Sequence, residues 1–347
     1  MDGRESLISK EGLGGRDMGK VLTLSIAAYN VESFIDNTLK TIAECKCLNQ
    51  IEVIIIDDGS KDKTAEKSLS FCNRWPDSFK LVSKQNGGYG STINEALKLA
   101  TGKYFKLLDG DDWVQTDNME SYIEYLSSCK SDIVISPYNI VYMPDREIEL
   151  TDVHNGLSDN SCNLEKCGVN GSITHQELAV RTQLLKKNNI RITEKCFYTD
   201  QEFVFESILY SSTISRFSMP VYCYQVGREG QSVSLEGLRK HYPDSMIVAK
   251  KLCNYYGNNC SKLNGDKKKI ILTKIIGASS VVYKAYMARN DFSKSKKELM
   301  EYDYLLKSQY LDLYESTNCL KRARILRMTR YLGYRMICCL SFRKHMK

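Results

Sequence analysis

A chain of 347 residues with 42% hydrophobic and 26% charged residues carries enough apolar side chains for one large core or two smaller ones, which excludes disorder as its general state. No run of about 18 uncharged apolar residues occurs, so a membrane-spanning helix is not expected. The net charge of +7 is gathered at one end: residues 318–347 hold nine Lys and Arg against no acidic residue, leaving −2 on everything before them. With no basic body and no nucleic-acid reading motif, a nucleic-acid partner is excluded.

Residues 1–19 are rich in Gly and charge and lack the apolar centre of a signal peptide. They read as a disordered segment, with Met18 as an alternative start, and a cytoplasmic protein is the expectation. The thirteen cysteines show no C-x-x-C spacing, which argues for small buried or half-buried hydrophobes rather than a zinc site.

Residues 20–115 alternate short apolar strands with helical stretches at Ser33 to Ile42 and Ser91 to Ala100, the pattern of repeated βαβ units. Residues 116–235 open on a helix near Asn118 to Ser128, continue through an apolar strand at Asp132 to Ser136, and include a polar loop from Asp152 to Asn170. Helical periodicity then dominates residues 236–317, through Ser245 to Tyr256, Lys268 to Met287 and Ser293 to Lys307. Residues 318–347 form a basic segment with Ile325, Met328, Leu332 and Met336 at helical spacing. This segment suits either an anionic lipid surface or a solvated, partner-binding tail.

Three polar clusters follow predicted buried strands in the first third of the chain. In an open parallel sheet such positions converge on one crevice beyond the carboxyl ends of the strands. Tyr29, after Val21 to Ile26, would offer a ring on which a base can stack, although an isolated tyrosine is commonly a core or turn residue. Asp57-Asp58-Gly59-Ser60 closes the next strand. Asp58 at that level can accept the imino proton of uracil or thymine, while a helix start is the plainer alternative. Asp109-Gly110-Asp111-Asp112 gathers three carboxylates within four residues, and their repulsion is relieved by a bound cation. Oxygen-only ligation favours Mg²⁺ or Mn²⁺ with room for diphosphate oxygens, and the glycine position does not fit an EF-hand. Between the second and third clusters, Lys84 to Ser91 supplies glycines before a helix, where backbone amides can approach an anion.

The order of these clusters, with Asn86-Gly87-Gly88, Asn94-Glu95-Ala96-Leu97 and Gly102-Lys103-Tyr104 between them, resembles the nucleotide half of family 2 glycosyltransferases from about Val21 to Trp113. The resemblance implies an α/β GT-A fold, Rossmann-like, with a mainly parallel central sheet flanked by helices, here followed by a C-terminal helical extension. Residues 20–115 would be its nucleotide-sugar-binding half and 116–235 its acceptor-binding, catalytic half. It implies Tyr29 against uracil, Asp58 bonded to the base, Asn86 and Gly87 beside the nucleotide sugar, Asp109 toward ribose or a metal-bound water, Asp111 on Mn²⁺ or Mg²⁺, and Asp112 behind them.

Phe197 to Phe203 precedes Pro220-Val221-Tyr222-Cys223-Tyr224 at a separation similar to that between the family's Glu-Asp pair and its later Pro-x-Tyr-x-Tyr strand. Asp200 then falls at the catalytic base, with Thr199 departing from the usual Glu and Glu202 left as a competing base or acceptor contact. His175 lies where acceptor contacts are expected. Arg228 sits in a Gly227 to Ser234 segment similar to the family's closing loop and is a candidate diphosphate contact. The implied activity is metal-assisted, inverting transfer from a nucleotide diphosphate sugar, most simply UDP-linked, to a saccharide or lipid-linked saccharide at the cytoplasmic face of the membrane. A non-catalytic nucleotide-sugar-binding subunit and a nucleotidyltransferase are the alternatives.

Overall fold

The computed structural model describes residues 19–169, 171–227 and 234–342. Its first half is a run of βαβ units. Strand β1 (Leu22–Ala28) leads to helix α1 (Ile35–Ala43), β2 (Ile51–Asp57) to α2 (Thr64–Arg74), and β3 (Phe79–Ser83) to α3 (Tyr89–Leu99), which returns to β4 (Tyr104–Asp109). Every residue of β2 is buried, as expected of a parallel strand covered on both faces.

Register places the polar clusters. Leu22 pairs with Ile51 and Ala28 with Asp57, while Ala27 pairs with Asp109, so β1, β2 and β4 end level with one another. The chain leaves these three ends through Tyr29, Asp58 and Gly110 at a single edge of the sheet.

The second half completes the sheet. A short strand β5 (Trp113–Val114) and helix α4 (Thr116–Ser128) precede β6 (Ile133–Ile135), β7 (Tyr138–Tyr142), β8 (Glu147–Thr151) and β9 (Cys162–Asn163). Next come β10 (Leu178–Arg181), α5 (Thr182–Lys187), α6 (Asp200–Tyr210), β11 (Thr213–Arg216) and β12 (Tyr222–Val226). Among the described residues the main sheet runs β3-β2-β1-β4-β10-β6-β11-β9, and a smaller one runs β5-β12-β7-β8. The sheet is parallel through the βαβ half and mixed beyond it, because β10 pairs antiparallel with both β4 and β6.

Among the described residues seven α-helices follow: α7 (Leu235–Lys240), α8 (Tyr242–Asn259), α9 (Gly265–Met287), α10 (Phe292–Gln309), α11 (Leu311–Ser316), α12 (Lys321–Met328) and α13 (Tyr334–Phe342). Helix α9 is long and apolar enough to cross a membrane, yet it packs against α6, α8 and α10 and is largely buried there. Ile54 and Ile56 of the sheet, Phe203 and Phe205 of α6, Ile271 and Ile275 of α9, and Leu326 and Tyr334 of the basic segment all belong to one hydrophobic cluster. The extension therefore shares its core with the sheet. All thirteen cysteines are free thiols.

The loop before α6 is sewn to the start of α3. Lys195 N–H donates to Gly87 O (2.6 Å), and Asn94 Nδ2 donates to Ile192 O (2.8 Å). A Cβ at Gly90 would lie 2.0 Å from the Thr193 carbonyl oxygen, so only glycine allows this approach. The Gly90→Ala variant is expected to lose about 1–3 kcal/mol in chemical denaturation, as overpacking against backbone does.

Candidate active site

A cleft of about 570 Å³ opens where the strand ends meet α6 and α9. Asp109, Asp111, His175 and Asp200 all line it. Asp109 ends β4, Asp111 follows in the turn, and His175 lies just before β10. Asp200 is the first residue of α6, presented by a segment in which Lys195 (φ 53°) and Tyr198 (φ 64°) take up left-handed backbone. Such conformations in non-glycine residues carry strain and persist where the surroundings fix them.

His175 joins the two acidic arms. Its Nε2 lies 3.2 Å from Asp109 Oδ2, and its Nδ1 lies 3.7 Å from Asp200 Oδ2. Burial by itself would lower the imidazole pKa, but the charges of Asp109 and Asp200 and their hydrogen bonding outweigh it and hold it up at about 10. Tyr89 Oη donates to Asp109 Oδ1 (2.7 Å), fixing that carboxylate from the α3 side.

Asp109, Asp111 and Asp112 bring carboxylate oxygens within 4.8 Å of one another. An all-oxygen donor set of this kind fits a hard divalent cation. The three are not equivalent. Asp112 is buried, accepting from Tyr222 Oη (2.5 Å) at one oxygen and from the Gln225 N–H (2.8 Å) at the other. Burial, reinforced by the Asp109 charge, pushes its carboxyl up to about 8. Its work is to tie β12 to the acidic turn, which leaves Asp109 and Asp111 as the pair facing the cleft. In Tyr222→Phe, Asp112 loses a donor in a dry setting. We expect about 1–3 kcal/mol of lost stability by denaturant titration, together with weaker Mn²⁺ uptake by calorimetry.

The other expected positions divide. Tyr29 is half-exposed at the end of β1, open to a stacking partner. Asp58 is buried and does not line the cleft: Oδ1 accepts from Lys84 Nζ (2.5 Å) and the Gly87 N–H (2.9 Å), and Oδ2 from the Gly88 N–H (2.8 Å). Its observed role is to hold the glycine loop, with Gly87 buried and Asn86 exposed on it. Glu202 does not line the cleft. It is fully buried, with Oε2 accepting from the Thr193 N–H (2.9 Å) and Lys251 Nζ (2.7 Å). Arg228 lies outside the described residues.

Several cleft residues were not anticipated. Lys274 and Lys284 come from α9, so the extension forms one wall. Lys274 Nζ donates to Ile173 O (3.0 Å), and burial lowers its pKa against the opposing pull of Asp200 and Glu177. A lone lysine inside Ile270 to Ile276 is the sequence signal for it, since an ammonium is rarely buried without a partner. Lys106, buried under the site, donates to Gln176 O (2.6 Å) and steadies the segment carrying His175; burial lowers its pKa to about 7.

Residues 23–189 match the model of the family described as glycosyl transferase family 2. This segment belongs to that family. Among curated proteins, the chain is 24% identical over 219 residues to the poly(ribitol-phosphate) beta-N-acetylglucosaminyltransferase TarS of Staphylococcus aureus, covering 60% of this chain and 36% of that protein. It is 28% identical over 172 residues to the minor teichoic acid biosynthesis protein GgaB of Bacillus subtilis, covering 48% of this chain and 19% of that one. The chain thus spans about a third or less of the length of these relatives. Among solved structures, S. aureus TarS 1–349 in complex with UDP-GlcNAc superposes with a TM-score of 0.66 at 19% identity, over 94% of this chain and 92% of that one. The mannosyltransferase PcManGT of Pyrobaculum calidifontis, in complex with GDP-Man and Mn²⁺, gives 0.51 at 18% identity over 92% and 86%. The fold of this family 2 domain is GT-A, and its mixed sheet with a helical C-terminal region is that of these neighbours.

Proposed function

We propose that the chain transfers a sugar from a UDP-linked donor to a hydroxyl of a saccharide or lipid-linked saccharide, with inversion at the anomeric carbon, in cell-envelope polysaccharide assembly at the cytoplasmic face of the membrane. The observation that carries this reading is the convergence of Asp109, Asp111 and Asp200 on one cleft. The TarS neighbour's UDP-GlcNAc complex supports a UDP donor.

Asp200 is the general base. An acceptor hydroxyl titrates far above neutral pH, so it must give up its proton as it attacks. The Asp200 carboxylate, about one-third exposed, is open to that proton. Asp109 and Asp111 are the residues that would hold Mn²⁺ or Mg²⁺, which would offset negative charge gathering on the departing diphosphate. His175 spans the donor-side and acceptor-side carboxylates and keeps their spacing, while offering the acceptor a polar contact. Tyr29 stacks on the base, and Asp58 positions Asn86 and Gly87 along the nucleotide. Arg228 is a diphosphate contact.

Thermal unfolding with UDP, UDP-sugars and GDP-sugars, each with and without Mn²⁺, tests the donor side. UDP compounds with Mn²⁺ should raise the midpoint, since a ligand at a hundredfold excess over its Kd adds about 2.7 kcal/mol. Absence of any shift across the panel overturns the donor assignment.

A further inference from the structure

We propose that the C-terminal helical face docks on an anionic lipid bilayer. The basic segment presents two apolar faces. One, formed by Ala323, Leu326, Tyr331, Tyr334 and Cys338, is spent in the core. The other is turned outward: Met328 at the end of α12, Leu332 in the turn that follows, and Met336 and Leu340 on α13 are 78%, 71%, 64% and 56% exposed. A segment that only had to complete the fold needs the first row and gains nothing from the second.

The outward row does not stop at α13. A shallow groove runs from Leu332, Arg335 and Met336 to Ser293 and Lys296 on α10, and a second groove shares those two residues and continues along α10 to Lys297, Met300 and Tyr304. Met300 and Tyr304 are themselves exposed. Two helices therefore offer one continuous apolar strip, broader than the isolated surface leucines that ordinary proteins carry.

Charge selects the occupant. Lys296, Lys297 and Arg335 line the strip, and Arg324 and Arg330 are exposed beside the apolar row. Glu301 is the acid lining these grooves; Glu298 is paired with Arg289, and Asp303 is buried with Arg327. A second copy would bring the same cations face to face in a two-fold contact, which is unfavourable. An acidic headgroup layer above acyl chains satisfies both the cations and the apolar side chains. Snorkelling Lys and Arg stems can reach the headgroups while Leu332, Met336 and Leu340 enter the acyl boundary. The inference rests on the extension alone and stands apart from the transferase reading.

Co-sedimentation of the full chain with phosphatidylglycerol vesicles, against phosphatidylcholine vesicles, tests it without any activity assay. Binding should be strong on the first, weak on the second, and reduced by raised salt. The Leu332→Glu/Met336→Glu variant should partition at least about tenfold less, and so should Arg324→Glu/Arg335→Glu, which leaves the apolar row intact. Both should keep the parent thermal midpoint, because these side chains are exposed. Equal binding to the two lipids, no binding, or binding indifferent to both variants overturns the proposal. So does a dimer in light scattering that either variant splits, which would make the face a contact between copies.

Discussion

Replacing Asp200 by Asn should lower the transfer rate by about 10²–10⁴-fold, the range that a positioned general base contributes, while UDP affinity in Mn²⁺ stays within about twofold. The substitution keeps the shape and removes only the ability to take a proton. Asp200 begins α6 and lines the cleft, so no refolding is needed to bring it to an acceptor hydroxyl. The matched control is Glu202→Gln, two residues along. Its carboxylate lies in a dry pocket against Lys251 and Thr193, so that change should act on folding and leave the rate of the folded enzyme within severalfold. Single-turnover kinetics with a labelled donor separates the two. Unchanged turnover in Asp200→Asn would remove the residue from its role. A rate collapse confined to Glu202→Gln, with the fold intact, would hand that role to its neighbour.

This contrast also bears on the binding-only alternative. Thr199, where the family's pair usually has Glu, is fully buried, and its hydroxyl has no hydrogen-bond partner among the described residues. The departure therefore falls on a side chain that faces the interior, and a carboxylate remains in the cleft at Asp200.

What the sequence displayed clearly was local. β1, β2 and β4 are predominantly apolar, interrupted only by Thr23, Ser25, Glu52 and Lys106 before their polar ends, and the level alignment of those ends follows from parallel pairing, so the acidic turn and the crevice were legible from residues alone. The helices of the extension announced themselves by period. The hairpin of β7 and β8 did not: Glu147, Ile148, Glu149 and Leu150 are all exposed, so neither face carries a burial signal. Roles that depend on distant partners were equally hidden. The bonds of Asp58 to Lys84, Gly87 and Gly88, and the burial of Glu202 against Lys251, 49 residues on, come into view only in the fold. Lys274 and Lys284 could be assigned to the cleft only once α9 was known to pack beside α6.

The basic segment shows most sharply how net charge conceals structure, and it yields the largest expected effect on stability. Arg327 reads as one cation among nine, yet its guanidinium is buried. It donates through Nε (3.1 Å) and Nη2 (2.7 Å) to Asp303 Oδ1, through Nη1 to Tyr314 O (2.8 Å) and Asn318 Oδ1 (2.8 Å), and through Nη2 to Thr317 Oγ1 (3.0 Å). The ring of Tyr314 lies 3.9 Å beneath it. Asp303 is held in turn by the hydroxyls of Tyr283 and Tyr331. Arg327→Ala leaves that carboxylate without its counter-charge in a setting that water does not reach, and such a broken buried pair costs about 3–5 kcal/mol. Arg327→Lys should recover only part of this, because an ammonium cannot reproduce the planar fork across Asp303, Tyr314 and Asn318. In Arg327→Met/Asp303→Leu both charges go, so most of the loss should be restored, since an apolar pair of similar volume needs no desolvation. Urea unfolding followed by tryptophan fluorescence, with Trp75 and Trp113 both in the sheet half, reads whether damage at residue 327 reaches the sheet. A freely solvated tail would give less than about 0.5 kcal/mol, as surface substitutions do, and would leave the sheet's transition where it was.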